Sequence, residues 1–146
     1  MFSHQRVHLL LSSMAVFLLL SACSGTSRVI NLGILEMYSD FYNVQIDLPE
    51  AVARGQDFEV KVTTYAHTCR ERARTDVTIQ DMTAVITPYD YEVTYPDGTI
   101  CNPVISSFEH TATLRFDQVG TATITVRGYS DVQEQAIDVV HIVTVQ

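Results

Sequence analysis

Thr121-Ala122-Thr123-Ile124-Thr125-Val126-Arg127-Gly128 decides the fold class. Ala122, Ile124 and Val126 fall on one side of this stretch, and Thr121, Thr123, Thr125 and Arg127 on the other. A period of two is the signature of a strand with one face buried, because successive side chains of an extended chain point in opposite directions. Just upstream, Thr111–Phe116 repeats the pattern with Ala112, Leu114 and Phe116, and Gly120 breaks the chain between the two. Further back, Phe58-Glu59-Val60-Lys61-Val62-Thr63 alternates just as cleanly. These segments predict one core built from Phe58, Val60, Val62, Leu114, Phe116, Ile124 and Val126. Ile137 to Val145 carries Ile137, Val139, His141, Val143 and Val145 on one side and Val140 and Ile142 on the other. Apolar residues on both faces predict a central or well-covered strand. Asn43 to Leu48 alternates up to Pro49, and Glu50 to Asp57 reads as a connection. Ile86 to Tyr95 is a tyrosine-bearing segment closed by Tyr95-Pro96-Asp97-Gly98, whose Pro and Gly positions suit a type I turn. Short strands at this spacing, without a long helical period after residue 23, predict an all-β sandwich or barrel.

Two phrases carry a family resemblance. Leu48-Pro49-Glu50-Ala51-Val52-Ala53-Arg54-Gly55-Gln56-Asp57-Phe58-Glu59-Val60-Lys61-Val62 resembles the first strand passage of bacterial immunoglobulin-like domains. Phe116-Asp117-Gln118-Val119-Gly120-Thr121-Ala122-Thr123-Ile124-Thr125-Val126 is similar to their later hairpin. The resemblance implies an immunoglobulin-like antiparallel β-sandwich and no particular activity. The chain departs from the antibody pattern in having no tryptophan, and its cysteines are too close for the usual inter-sheet bond. On that resemblance, Cys69 and Cys101 tie loops or strand ends at one rim.

The amino end has a different character. His4, Arg6 and His8 precede an apolar run from Leu9 to Leu20, and no acidic residue occurs before Glu36. Twelve helical residues span roughly 18 Å, short of a ~30 Å hydrocarbon core, so the run reads as a helical secretory signal and not as a membrane span. Leu20-Ser21-Ala22-Cys23 resembles the lipobox of bacterial lipoproteins. The resemblance implies cleavage before Cys23, with a diacylglyceryl group on its thiol and an acyl chain on the new amino terminus. Several acyl chains together make a lasting anchor. Ser24, in place of the Asp that retains Gram-negative members in the inner membrane, implies the outer membrane with the domain facing the periplasm. The expected organisation is a signal at residues 1–22, a lipidated tether at 23–28 and one sandwich domain at 29–146.

Composition narrows the function. Nine Lys and Arg stand against 17 Asp and Glu, and Arg6 belongs to the signal, so the remainder is strongly acidic. Such a surface disfavours nucleic acid and gains no polybasic attraction to anionic lipid. Of three cysteines, two remain once Cys23 is lipidated, and an oxidising compartment favours a Cys69–Cys101 disulfide. Closing a loop of about 30 residues is worth roughly 3.5–4 kcal/mol in the chain-entropy model.

Catalytic motifs are absent: there is no G-x-S-x-G, no H-E-x-x-H and no glycine-rich phosphate loop. Carboxylates such as Asp90, Asp97 and Asp131 read as single loop residues. His67, Cys69, Cys101 and His110 form the one set with metal-ligand chemistry, but His67-x-Cys69 is tighter than the usual zinc spacing. His141, among valines, reads as a structural histidine. Arg70-Glu71-Arg72-Ala73-Arg74 reads as a solvated loop, or as a recognition loop held rigid by the disulfide, where Arg forks meet carboxylate or phosphate. Tyr89, Tyr91 and Tyr95 read as a strand with one buried face, or as a binding surface. The expectation is a non-enzymatic, lipid-anchored envelope protein, with no cofactor besides the lipid, whose sandwich binds or braces a protein or glycan of the envelope. Its rivals are an envelope hydrolase with a site assembled by the fold, and a metal-binding lipoprotein.

Overall fold

The structure, a computed structural model, describes residues 25–37, 42–66, 69–96, 98–101 and 104–146. The signal, Cys23 and Ser24 lie outside these residues, as do His67 and Asp97. The described residues hold ten strands and no helix: β1 (Ser27–Leu32), β2 (Ile34–Glu36), β3 (Gln45–Asp47), β4 (Ala51–Val52), β5 (Phe58–Ala66), β6 (Arg70–Gln80), β7 (Thr83–Thr94), β8 (Ser106–Leu114), β9 (Gly120–Ser130) and β10 (Gln135–Val145).

The described residues are all-β: their ten strands form one continuous sheet of mixed direction, folded so that two layers of it face each other across the core. One layer is β3–β5–β8, antiparallel throughout. The other runs β6–β7–β9–β10, with β4 added at the end of β10. β1 lies beside the second half of β7, and β2 continues from it between β9 and β5, so hydrogen bonding passes from one layer to the other. The sheet is mixed, where a purely antiparallel sandwich was expected: β7 with β9, β2 with β9 and β4 with β10 pair in parallel. Parallel neighbours need crossover connections, which periodicity does not reveal.

Alternation fills the space between the layers. Val60, Val62, Ala112, Leu114 and Phe116 from one side meet Ala84, Ile86, Ala122, Ile124, Val126, Val143 and Val145 from the other, with Phe58 packed at the margin. The expected core is therefore present. Gly33, between β1 and β2, donates its N–H to the Pro88 carbonyl and accepts from the Tyr129 N–H, which fills the fork where β7 and β9 part. A Cβ there would collide with the side chain of Thr64. Around this fork a second cluster joins Ile34, Met37 and Tyr65 to Tyr42, Ile105 and Tyr129.

Three local expectations are corrected. Arg70 to Arg74 is not a loop but the start of β6, paired with β7 and bulged between Arg72 and Thr75. β10 is not covered on both faces, since Val140 and Ile142 are each more than half exposed. The strands also intrude on expected connections: β1 begins inside the tether, at Ser27, and β4 lies within Glu50–Asp57.

Candidate functional site

Cys69 and Cys101 are bonded, with Cα atoms 5.2 Å apart. Cys69 immediately precedes β6, and Cys101 lies in the connection from β7 to β8, so the bond ties strand ends at one rim. The Cys69 carbonyl accepts from the Val93 N–H, which docks the bonded turn onto the end of β7. Both thiols are thereby spent. His110 faces a carboxylate instead of a metal partner set, and among the described residues no group of three or more His, Cys, Asp or Glu is arranged to hold a metal ion. The metal reading loses its two thiolate ligands.

Beside the disulfide, Arg70 reaches into a cleft of about 450 Å³ that it lines with Asn31, Leu32, Glu92 and Tyr129. Arg70 and Glu92 are register partners on β6 and β7. They do not pair with each other: Glu92 Oε2 accepts from Asn31 Nδ2 at 3.1 Å. The Arg70 Nη1 is shut away from solvent without a hydrogen-bond partner. Next to them Arg28 meets Glu71 at 3.0 Å, so that cation is compensated while Arg70 is not. A second groove, along β3 and β5, is about 400 Å³, but its Lys61 is already held by Glu109 at 3.5 Å.

The third feature lies between the layers. Asp90, read from sequence as a loop carboxylate, is fully buried on β7, and its Oδ1 sits 3.1 Å from His110 Nε2 on β8. The other ring nitrogen, Nδ1, is 3.0 Å from the Thr75 hydroxyl on β6. With a proton on Nε2 donated to Asp90, Nδ1 accepts from Thr75 and the chain of hydrogen bonds is complete. Thr75, His110 and Asp90 have the residue types of a nucleophile–base–orienter relay. His110 and Asp90 are 1% and 0% exposed, however, and none of the three lines either cleft. What the relay can do is fix β6, β7 and β8 in one register. Sequence reasoning missed it because nothing in an isolated Asp, His and Thr announces that three strands bring them together.

The remaining candidates are dispersed. Tyr89 and Tyr91 are half-buried on β7, and the Arg74 guanidinium lies 4.8 Å from the Tyr89 ring centre. His141 is half-buried on β10, its Nε2 enclosed without a partner. Asp131 opens the turn from β9 to β10, where its N–H donates to the Glu36 carbonyl.

The chain matches no family model, no curated protein and no solved structure.

Proposed function

We propose that this is a lipid-anchored envelope protein whose β-sandwich is a non-enzymatic module that holds another envelope component at its disulfide-bonded rim. The observation that carries the reading is the cleft beside Cys69–Cys101, where an under-compensated arginine, an amide, a carboxylate and a tyrosine converge. That is a set for recognition, with no nucleophile among it. Support for anchoring is the lipobox-like Leu20-Ser21-Ala22-Cys23. β1 enters the fold at the same rim, with Ser27 opposite Thr94 and Val29 opposite Glu92. Four residues from Cys23 to Ser27 reach at most about 14 Å, so an anchored domain would present this rim toward the bilayer. With Ser24 after the lipid site, the reading places it on the periplasmic face of a Gram-negative outer membrane.

For the finer fold we read an immunoglobulin-like sandwich. β5 beside β8 in one layer and β9 beside β10 in the other support it; β7 running parallel to β9 departs from it. The hydrolase reading has the Thr75–His110–Asp90 relay in its favour, but a sealed base cannot reach a substrate within hydrogen-bonding distance.

Metabolic labelling with a palmitate analogue tests the anchor. The native chain should take up label and Cys23→Ala should not. Label retained by the variant overturns the anchor and with it the envelope assignment.

A further inference from the structure

We infer that the rim cleft is a receptor for a zwitterion of the α-amino acid type, an ammonium and a carboxylate held close together. This deepens the binding-module reading and rests on it. Arg70 and Glu92 face each other across paired strands, where side chains of opposite charge would ordinarily join. Here they are kept apart. Asn31 holds one oxygen of Glu92, and Arg70 has one nitrogen buried without any acceptor. A guanidinium in that state depends on its remaining N–H groups for compensation, and a carboxylate entering the cleft supplies it through charge-assisted hydrogen bonds. The same ligand's ammonium would meet the oxygen of Glu92 that Asn31 leaves open. A dianion is disfavoured, because Glu92 would repel its second charge, and a simple cation leaves Arg70 unanswered. Leu32 and Tyr129 add apolar wall, and about 450 Å³ suits a single amino acid. Lys61, in the other groove, already has Glu109 beside it.

Two sources offer this chemistry: a free amino acid, and an amino-acid residue joined to a cell-wall peptide through its side chain, so that its α-ammonium and α-carboxylate stay unblocked. The test is calorimetric titration of the full chain in detergent with alanine, N-acetylalanine, alanine amide and a muropeptide carrying a side-chain-linked residue whose α-ammonium and α-carboxylate are both unblocked. Alanine should bind, and each capped analogue should bind at least about tenfold more weakly, since each loses one charge-assisted contact. Arg70→Gln should weaken alanine without altering the response to N-acetylation of the ligand, and Glu92→Gln should do the converse for the amide. A muropeptide tighter than alanine identifies the wall as the source; equal affinities identify the free amino acid. Capped analogues that bind as well as alanine, or no heat from any ligand with the native chain, overturn the inference. The capped ligands test it on the native protein, so a variant that fails to fold does not obscure the answer. Because palmitate labelling reads the anchor separately, loss of this inference is distinguishable from loss of the anchored reading.

Discussion

His110→Leu should be among the most damaging single substitutions in the described core, and a second substitution should partly repair it. The imidazole is the only hydrogen-bond partner of Asp90 Oδ1 among the described side chains, while Asp90 Oδ2 has none at all. Removing His110 leaves a fully buried carboxylate with neither oxygen satisfied by a side chain. Breaking a buried pair in this way costs about 3–5 kcal/mol, a large share of the ~5–15 kcal/mol that holds a domain together. With a urea slope of ~1–3 kcal/mol per molar, the midpoint should fall by roughly 2 M. Asp90→Ala with His110→Leu removes the stranded carboxyl group along with its partner, and Thr75, half-buried at the edge strand, can turn its hydroxyl to water. The double variant should therefore be more stable than His110→Leu alone by about 1–3 kcal/mol, the size of a direct coupling. Urea unfolding followed by far-ultraviolet circular dichroism measures all four corners of the cycle. If the second substitution only adds to the damage, the pair is not coupled and the relay argument fails.

Three further outcomes are expected. Phe116→Ala, which empties a fully buried site against Phe58, should cost about 3–5 kcal/mol; a denaturant midpoint that hardly moves would contradict the core assignment. Reducing Cys69–Cys101 should lower stability by about 3–4 kcal/mol while the β signal persists, since β5, β9 and β10 lie outside the closed loop; two reactive thiols in the unfolded, unreduced chain would refute the bond. The Arg127 hydrogen bond holds the Asp138 carboxyl below its usual value, so its contribution is present above the unfolded-state value and is lost as pH falls through the lower, folded-state value. Both partners are about half exposed, so the stability gap between the native chain and Asp138→Asn should be small, and should close on acidification and in high salt; a gap that widens in acid would reverse the sign.

How far the sequence was legible follows from what alternation records. Where one face of a strand is buried and the other wet, as in Phe58–Thr63 and Thr121–Val126, the pattern names both strand and core. β6 was illegible because its opening, Arg70 to Arg74, alternates Arg with Glu and Ala and buries no apolar stripe; it belongs to the sheet through β7 alone. β10 misled in the opposite sense: Val140 and Ile142 look like a second buried face, yet they stand in solvent beside the threonines of β9. The cleft was half visible. Arg70 stands out in the sequence for its place after Cys69, but Asn31, Glu92 and Tyr129 lie on three other strands, and only the pairing of β1 with β7 and of β2 with β9 collects them.

β1 also has a mechanical consequence. Its six residues pair antiparallel with Thr94 back to Tyr89, beginning at Ser27. Ladder hydrogen bonds lie perpendicular to the strands, so a pull on the amino end along the strand axis strains the whole ladder in shear instead of opening it one rung at a time. Beyond it, Gly33 and β2 are wedged between β7, β9 and β5. Tension arriving from the amino end would thus be shared by strands on both sides of the core before any single strand could peel away.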